Sequence, residues 1–140
     1  MTAIATENID LLKDFFRHAP MVKFVYLFGS HAREDAGSLS DIDVAVYLDR
    51  RLDAFRYRLV LMEELARFLK GAEFDLVVLN NAPLALQYEI VREGRVLKED
   101  KRRRVDFETR VLSRYLDTAH LRKVQEHYLK ERFAGEDGLG

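Results

Sequence analysis

The chain contains no cysteine. That excludes both a disulfide framework and a thiolate metal site. Charge of one sign is not in excess either: 23 basic and 24 acidic residues leave a formal net charge of -1. No overall field marks the chain as a nucleic-acid or membrane binder. No apolar run approaches the roughly 20 residues a membrane-spanning helix needs. The opening MTAIATENID has neither the basic nor the apolar region of a secretory leader, so a cytoplasmic protein is expected. Proline is reduced to two residues, Pro20 and Pro83, and each falls where one element gives way to another.

What is present suffices for a core. The 140 residues are 48% hydrophobic, which fits one domain of ordinary size. Residues 6–19 carry Ile9, Leu12, Phe15 and Phe16 at helical spacing, and Pro20 stops that helix. MVKFVYLF, residues 21–28, is short, β-branched and aromatic, and halts at Gly29 like a buried strand. A second strand is expected over 41–48 and a helix over 53–70, with Phe55, Leu59, Met62, Leu65 and Leu69 on one stripe and Gly71 at its end. A third strand follows over 73–79. A helix over 82–92 is expected to take Asn81 as its N-cap and Pro83 near its start. Residues 95–99 read as a short edge strand guarded by charge, and 102–133 as one long helix. This order gives an α/β or α+β domain over residues 1–134: a small sheet, helices mainly on one face, and a flexible tail at 135–140.

Between the first two strands lies FGSHAREDAGSLSDIDVAV, residues 28–46. Residues two apart in a strand share a face, so Asp41 and Asp43 project together. Two carboxylates this close repel, and a divalent cation with a taste for hard oxygen ligands, magnesium or manganese, removes that cost. Asp75 stands in the third strand between Phe74 and Leu76. If the second and third strands are neighbours, it joins the pair. Three acids on adjacent strands suit two metal ions and in-line phosphoryl or nucleotidyl transfer. Glu73, two residues earlier, is the reserve candidate. Gly29 permits a tight turn with close backbone approach. Ser30 offers a hydroxyl and caps a short helix through SHARE, whose free amides attract phosphate. Arg33 suits two uses equally, contact with a phosphate or support of the loop through an acid such as Asp35.

Gly29-Ser30, ten further residues, and Asp41-Ile42-Asp43 resemble the GS-x10-DxD signature of the DNA polymerase β-like nucleotidyltransferase superfamily. FDLVVL, with Asp75, resembles that superfamily's third acidic strand. The core of the likeness covers residues 21–79. Extended from the first helix to about Arg110, the chain is similar to the minimal nucleotidyltransferases (MNT), antitoxins encoded beside a HEPN-domain ribonuclease toxin of the HepT type. The resemblance implies a small mixed sheet of the nucleotidyltransferase type and two magnesium ions, with manganese as a substitute. It also implies ATP as substrate and transfer of AMP to a toxin tyrosine, which silences the toxin. On this pattern Asp41, Asp43 and Asp75 are the catalytic and metal-binding residues, and Gly29, Ser30 and Arg33 bind the nucleotide. The chain departs from the pattern at Arg33-Glu34, where many members have glycine after the arginine.

Polymerases of the superfamily carry further domains that grip nucleic acid. This chain has no room for them, so no direct nucleic-acid binding is expected. A homo-oligomer is compatible with the sequence. Two other functions fit the residues. One is a small-molecule nucleotidyltransferase of the aminoglycoside type, for which a single long C-terminal helix is a meagre drug-binding domain. The other is an antitoxin acting by contact alone, with Tyr115, Leu116 and Tyr128 of the last helix presented to a partner groove.

Overall fold

The computed structural model describes residues 2–29 and 42–139, with side chains over 8–29 and 42–132. In chain order the elements are α1 (Thr2–Arg17), β1 (Val22–Phe28), β2 (Ile42–Leu48), α2 (Ala54–Phe68), β3 (Phe74–Val78), a single 3-10 turn (Leu79–Asn81), α3 (Leu84–Glu93), β4 (Arg95–Lys98), α4 (Lys101–Asp117) and α5 (Ala119–Leu139). The four strands form one sheet in the order β3-β2-β1-β4. β1 runs antiparallel to β2 and to β4, whereas β2 and β3 are parallel. A parallel pair needs a crossover, and α2 supplies it.

The two central strands are apolar almost throughout because both faces of the sheet are covered. On one face Ile42, Val44, Val46 and Leu48 of β2 meet Leu12 and Phe16 of α1 and Leu61 and Leu65 of α2. On the other, Phe24, Tyr26, Ala45 and Tyr47 meet Ile90 of α3 and Phe107 and Val111 of α4. Each fully buried leucine or phenylalanine in these layers contributes about 1.5–3 kcal/mol. The division of two helices to each face is more even than the one-sided cover the sequence suggested.

Local signals account for most element ends. The Asp53 side chain caps α2 by accepting from the Arg56 amide at 3.3 Å, and Asp100 caps α4 through the Arg103 amide at the same distance. Lys70 and Gly71 both have positive φ, 51° and 89°, and turn the chain from α2 toward β3. Two expectations give way. Asn81 sits in the 3-10 turn, and α3 begins at Leu84 with Pro83 as its cap residue, because the fixed φ of proline suits the position just outside the helix. The long helix over 102–133 is two helices, broken at Thr118, and α5 continues through the segment expected as a tail. At the break the Thr118 hydroxyl donates to the Arg114 carbonyl, and Arg122 donates to the Thr118 hydroxyl and to the Tyr115 carbonyl. The Arg122 guanidinium also lies 3.6 Å above the Tyr115 ring, whose other face stacks on Tyr88 of α3 at 3.7 Å. No described helix is long and apolar enough to cross a membrane.

Candidate active site

The site grows from the register of β2 against β3. Asp43 is paired with Asp75, one step after Ile42 with Phe74 and one before Val44 with Leu76. The Ile42 amide donates to the Glu73 carbonyl at 3.1 Å and locks that register at its open end. Directly paired residues of adjacent strands lie on the same face, about 4.8 Å apart between strands. The two carboxylates therefore share the face that also carries Ala45, Tyr47 and Val77. Asp43 is half-buried on a central strand, and Asp75 is exposed on an outer one. On the other side of β2, Phe28 of β1 is the partner of Asp43 and packs against the apolar layer under α3 and α4.

Gly29 follows Phe28 directly. Its φ is +73°, a left-handed conformation that favours glycine. A methyl group there would run into the Asp43 carboxylate. The chain thus brings a bare stretch of backbone against the first acid, where any larger residue would be both strained and obstructed.

Gly29, Asp43 and Asp75, expected at one site, are brought to one end of one sheet face. Ser30, Arg33 and Asp41 lie outside the described residues, as do His31, Glu34, Asp35 and the short helix expected after Gly29. Among the described residues no cluster of three histidine, aspartate or glutamate side chains forms a complete metal cage. The chemistry of the donors nonetheless suits a hard divalent cation: two carboxylates in register, the sequence partner Asp41 two residues before Asp43, and a glycine whose bare Cα makes room for the Asp43 carboxylate.

Sequence reasoning missed several polar side chains that the fold uses. Asn80 extends the β2–β3 ladder by a side-chain amide: its Oδ1 accepts from the Leu48 amide at 2.9 Å, and its Nδ2 donates to the Leu48 carbonyl at 3.0 Å. Arg50 and Arg110 gather at the Tyr47 hydroxyl, at the far end of β2 from the acids. The signals were faint: an arginine pair just after a strand, and arginines four apart at positions 110 and 114.

A small mixed sheet with paired carboxylates at the open end of two parallel strands, beside a left-handed glycine, defines a catalytic core of the nucleotidyltransferase class. The chain belongs to the polymerase beta nucleotidyltransferase family, whose model matches residues 10–103. It is 36% identical over 89 residues to the protein adenylyltransferase MntA of Shewanella oneidensis, a match that takes in 64% of this chain and spans 60% of that protein's length. Among solved structures it is similar to a chain of a toxin–antitoxin complex with AMP-PNP, at 29% identity and a TM-score of 0.67, covering 92% of this chain and 98% of the other. It is likewise similar to a chain from the tri-AMPylated Shewanella oneidensis HEPN toxin in complex with its MNT antitoxin, at 27% identity and a TM-score of 0.62, covering 94% and 98%.

Proposed function

We propose that this chain is the antitoxin of a HEPN/MNT pair and a magnesium-dependent protein adenylyltransferase, which moves AMP from ATP to a tyrosine hydroxyl of its cognate toxin. The observation that carries this reading is the in-register pairing of Asp43 with Asp75 beside Gly29. The complexes with AMP-PNP and with an AMPylated toxin supply the substrate and the acceptor. Asp41, Asp43 and Asp75 would hold the metal. When bound, it neutralises the acids and the triphosphate and makes the acceptor hydroxyl more acidic.

The chain's own residues do the rest. The open backbone at Gly29, with Ser30 next in sequence, receives the phosphates, and Arg33 supplies charge to them. Asp75, exposed on the outer strand, is the acid an incoming protein hydroxyl can reach, and it takes the hydroxyl proton. The acceptor oxygen then bonds to the α-phosphorus as the bond to pyrophosphate breaks. The reaction is set in the cytoplasm, where ATP and magnesium are plentiful.

The test is incubation with labelled ATP, magnesium and the cognate HEPN protein. Label is expected on a toxin tyrosine with the native chain and is expected to be lost with Asp43→Asn. If Asp43→Asn still neutralises the toxin, contact alone is the mechanism. If the native chain labels no protein, protein adenylylation is wrong.

A further inference from the structure

At the end of β2 far from the acids, two adjoining cavities of about 380 Å³ and 410 Å³ share a wall of Tyr47, Leu48, Asp49, Arg50 and Arg110. They lie four residues along β2 from Asp43, about 13 Å away at the rise of a strand. Volumes of this size are ordinary for small-ligand sites. Tyr47 forms the base. It is 7% exposed, and its ring is fixed between Phe24, stacked at 4.7 Å, and Phe107 at 5.4 Å.

Acidic groups face this base too: Asp49 lines both cavities, and Asp106 lines one and attracts the Arg50 guanidinium. Arg51 and Lys23 are committed to Asp49, at 3.1 Å and 3.6 Å, and Arg103 to Asp100 at 2.7 Å. Arg50 instead donates from Nε to the Tyr47 hydroxyl at 3.4 Å. Arg110 donates to the Asp106 backbone carbonyl, also at 3.4 Å, and faces the same hydroxyl. Among the described residues neither Arg50 nor Arg110 is in an ion pair. Burial raises the pKa of the Tyr47 hydroxyl, but the two guanidiniums outweigh it and hold the group below its ordinary value. Arg114, one helical turn after Arg110, lines the same cavity. Like charges at that spacing repel. Three guanidiniums from a loop and a helix therefore line one concave surface, Arg50 and Arg110 at the Tyr47 hydroxyl and Arg114 farther along, with Asp49 and Asp106 as the carboxylates in its walls.

We propose that this cleft is a second anion site, separate from the acidic end, and that it takes a small oligophosphate through Arg50, Arg110 and Arg114. Guanidinium forks match the spacing of phosphate oxygens. Three of them exceed what one carboxylate can use, and a half-open cleft of this size fits a free oligophosphate better than a passing strand of nucleic acid.

The experiment is calorimetric titration of the full chain with inorganic pyrophosphate in chelator, so that no divalent ion engages the acidic end. Saturable binding is expected in the native chain and in Asp43→Asn alike. Arg50→Gln, a loop change that spares the core, and the double variant Arg50→Gln/Arg110→Gln should each weaken it by about tenfold or more, the loss expected for a charge-assisted hydrogen bond. Melting curves confirm that the variants are folded. No binding by the native chain up to about 10 mM, a weak limit, overturns the proposal. So does binding that Asp43→Asn abolishes or that Arg50→Gln leaves unchanged. If a single-stranded oligonucleotide binds through these arginines and pyrophosphate does not, the small-ligand assignment is wrong.

Discussion

Asp43 and Asp75 are register partners across the parallel β2–β3 ladder, one half-buried and one exposed, on a single face of the sheet. On the proposed reading these positions divide labour, the half-buried acid serving the metal and the exposed one serving the acceptor. Asp75→Asn should therefore cut AMP transfer by about a hundredfold or more, the range for a lost proton acceptor. Its stability should shift by no more than about 0.5 kcal/mol, as at an ordinary exposed site. Glu73→Gln, on the exposed residue just ahead of β3, should leave the rate within about twofold on the same scale of surface effects. Initial rates with labelled ATP, beside urea denaturation, distinguish the two acids.

Gly29→Ala should harm activity and stability together. The new methyl meets the Asp43 carboxylate, and the positive φ disfavours any side chain. The strain expected is about 1–3 kcal/mol. Denaturation midpoints measure the stability loss. If nucleotide binding is retained at native strength, the glycine is a simple turn and the phosphate role given to it fails.

Leu65→Ala offers the opposite pattern. Leu65 is fully buried in the layer beneath α1 and α2, on the face away from the acids. Its loss should cost about 2–5 kcal/mol in chemical denaturation. At moderate temperature the folded variant should still transfer AMP at close to the native rate.

Tyr26 is expected to contribute to the alkaline limit of stability. Its hydroxyl donates to Glu108, itself held by Arg104 at 2.9 Å. Burial first, and then the Glu108 carboxylate, drive the Tyr26 pKa far above the ordinary tyrosine value. The unfolded chain ionises this group near pH 10 while the folded chain keeps its proton. The stability it supplies is thus complete below about pH 10 and drains away as the pH rises further. Tyr26→Phe should cost about 1.5–3 kcal/mol at neutral pH, for one hydrogen bond to a carboxylate, and should show a shallower decline above pH 10. Unfolding free energies at a series of alkaline pH values decide this.

Arg122→Ala should loosen α5 without touching the core. Arg122 fastens the α4–α5 junction through two hydrogen bonds and a ring contact. Exposed cation–ring contacts are worth about 0.5–1 kcal/mol. Hydrogen exchange should quicken in α5 and stay unchanged in β1 and β2. Equal acceleration everywhere would show that the junction is part of the main cooperative unit.

How far the residues spoke for themselves depends on whether a neighbour was needed. β1, β2 and β3 were legible because each is a short apolar run, and the acids in β2 and β3 mark breaks in that pattern that burial alone does not require. The convergence of Asp43 with Asp75 was legible only on the condition that β2 and β3 are adjacent, which the α2 crossover makes true. The break at Thr118 was hidden: residues on both sides favour helix, and the stop is made by Arg122 reaching back and by the Tyr88–Tyr115 stack, a tertiary contact. KRRR at 101–104 has the pattern of a solvated basic run. Arg104 proves to be tied to Glu99 and Glu108, and no spacing rule discloses a partner on a neighbouring strand such as Tyr26. The arginines around Tyr47 escaped for the same reason, since Arg50 and Arg110 are sixty positions apart in the chain.

Asp75 lies on β3, the outermost strand at that side of the sheet. Among the described residues no strand pairs with its outer side, and a border of this kind invites another chain to add itself and begin a fibre. An extra strand laid along β3 would have to enclose a negative group already crowded by Asp43, and that penalty discourages stacking. An anionic border of this kind would work against self-association whether or not a nucleotide is ever handled there.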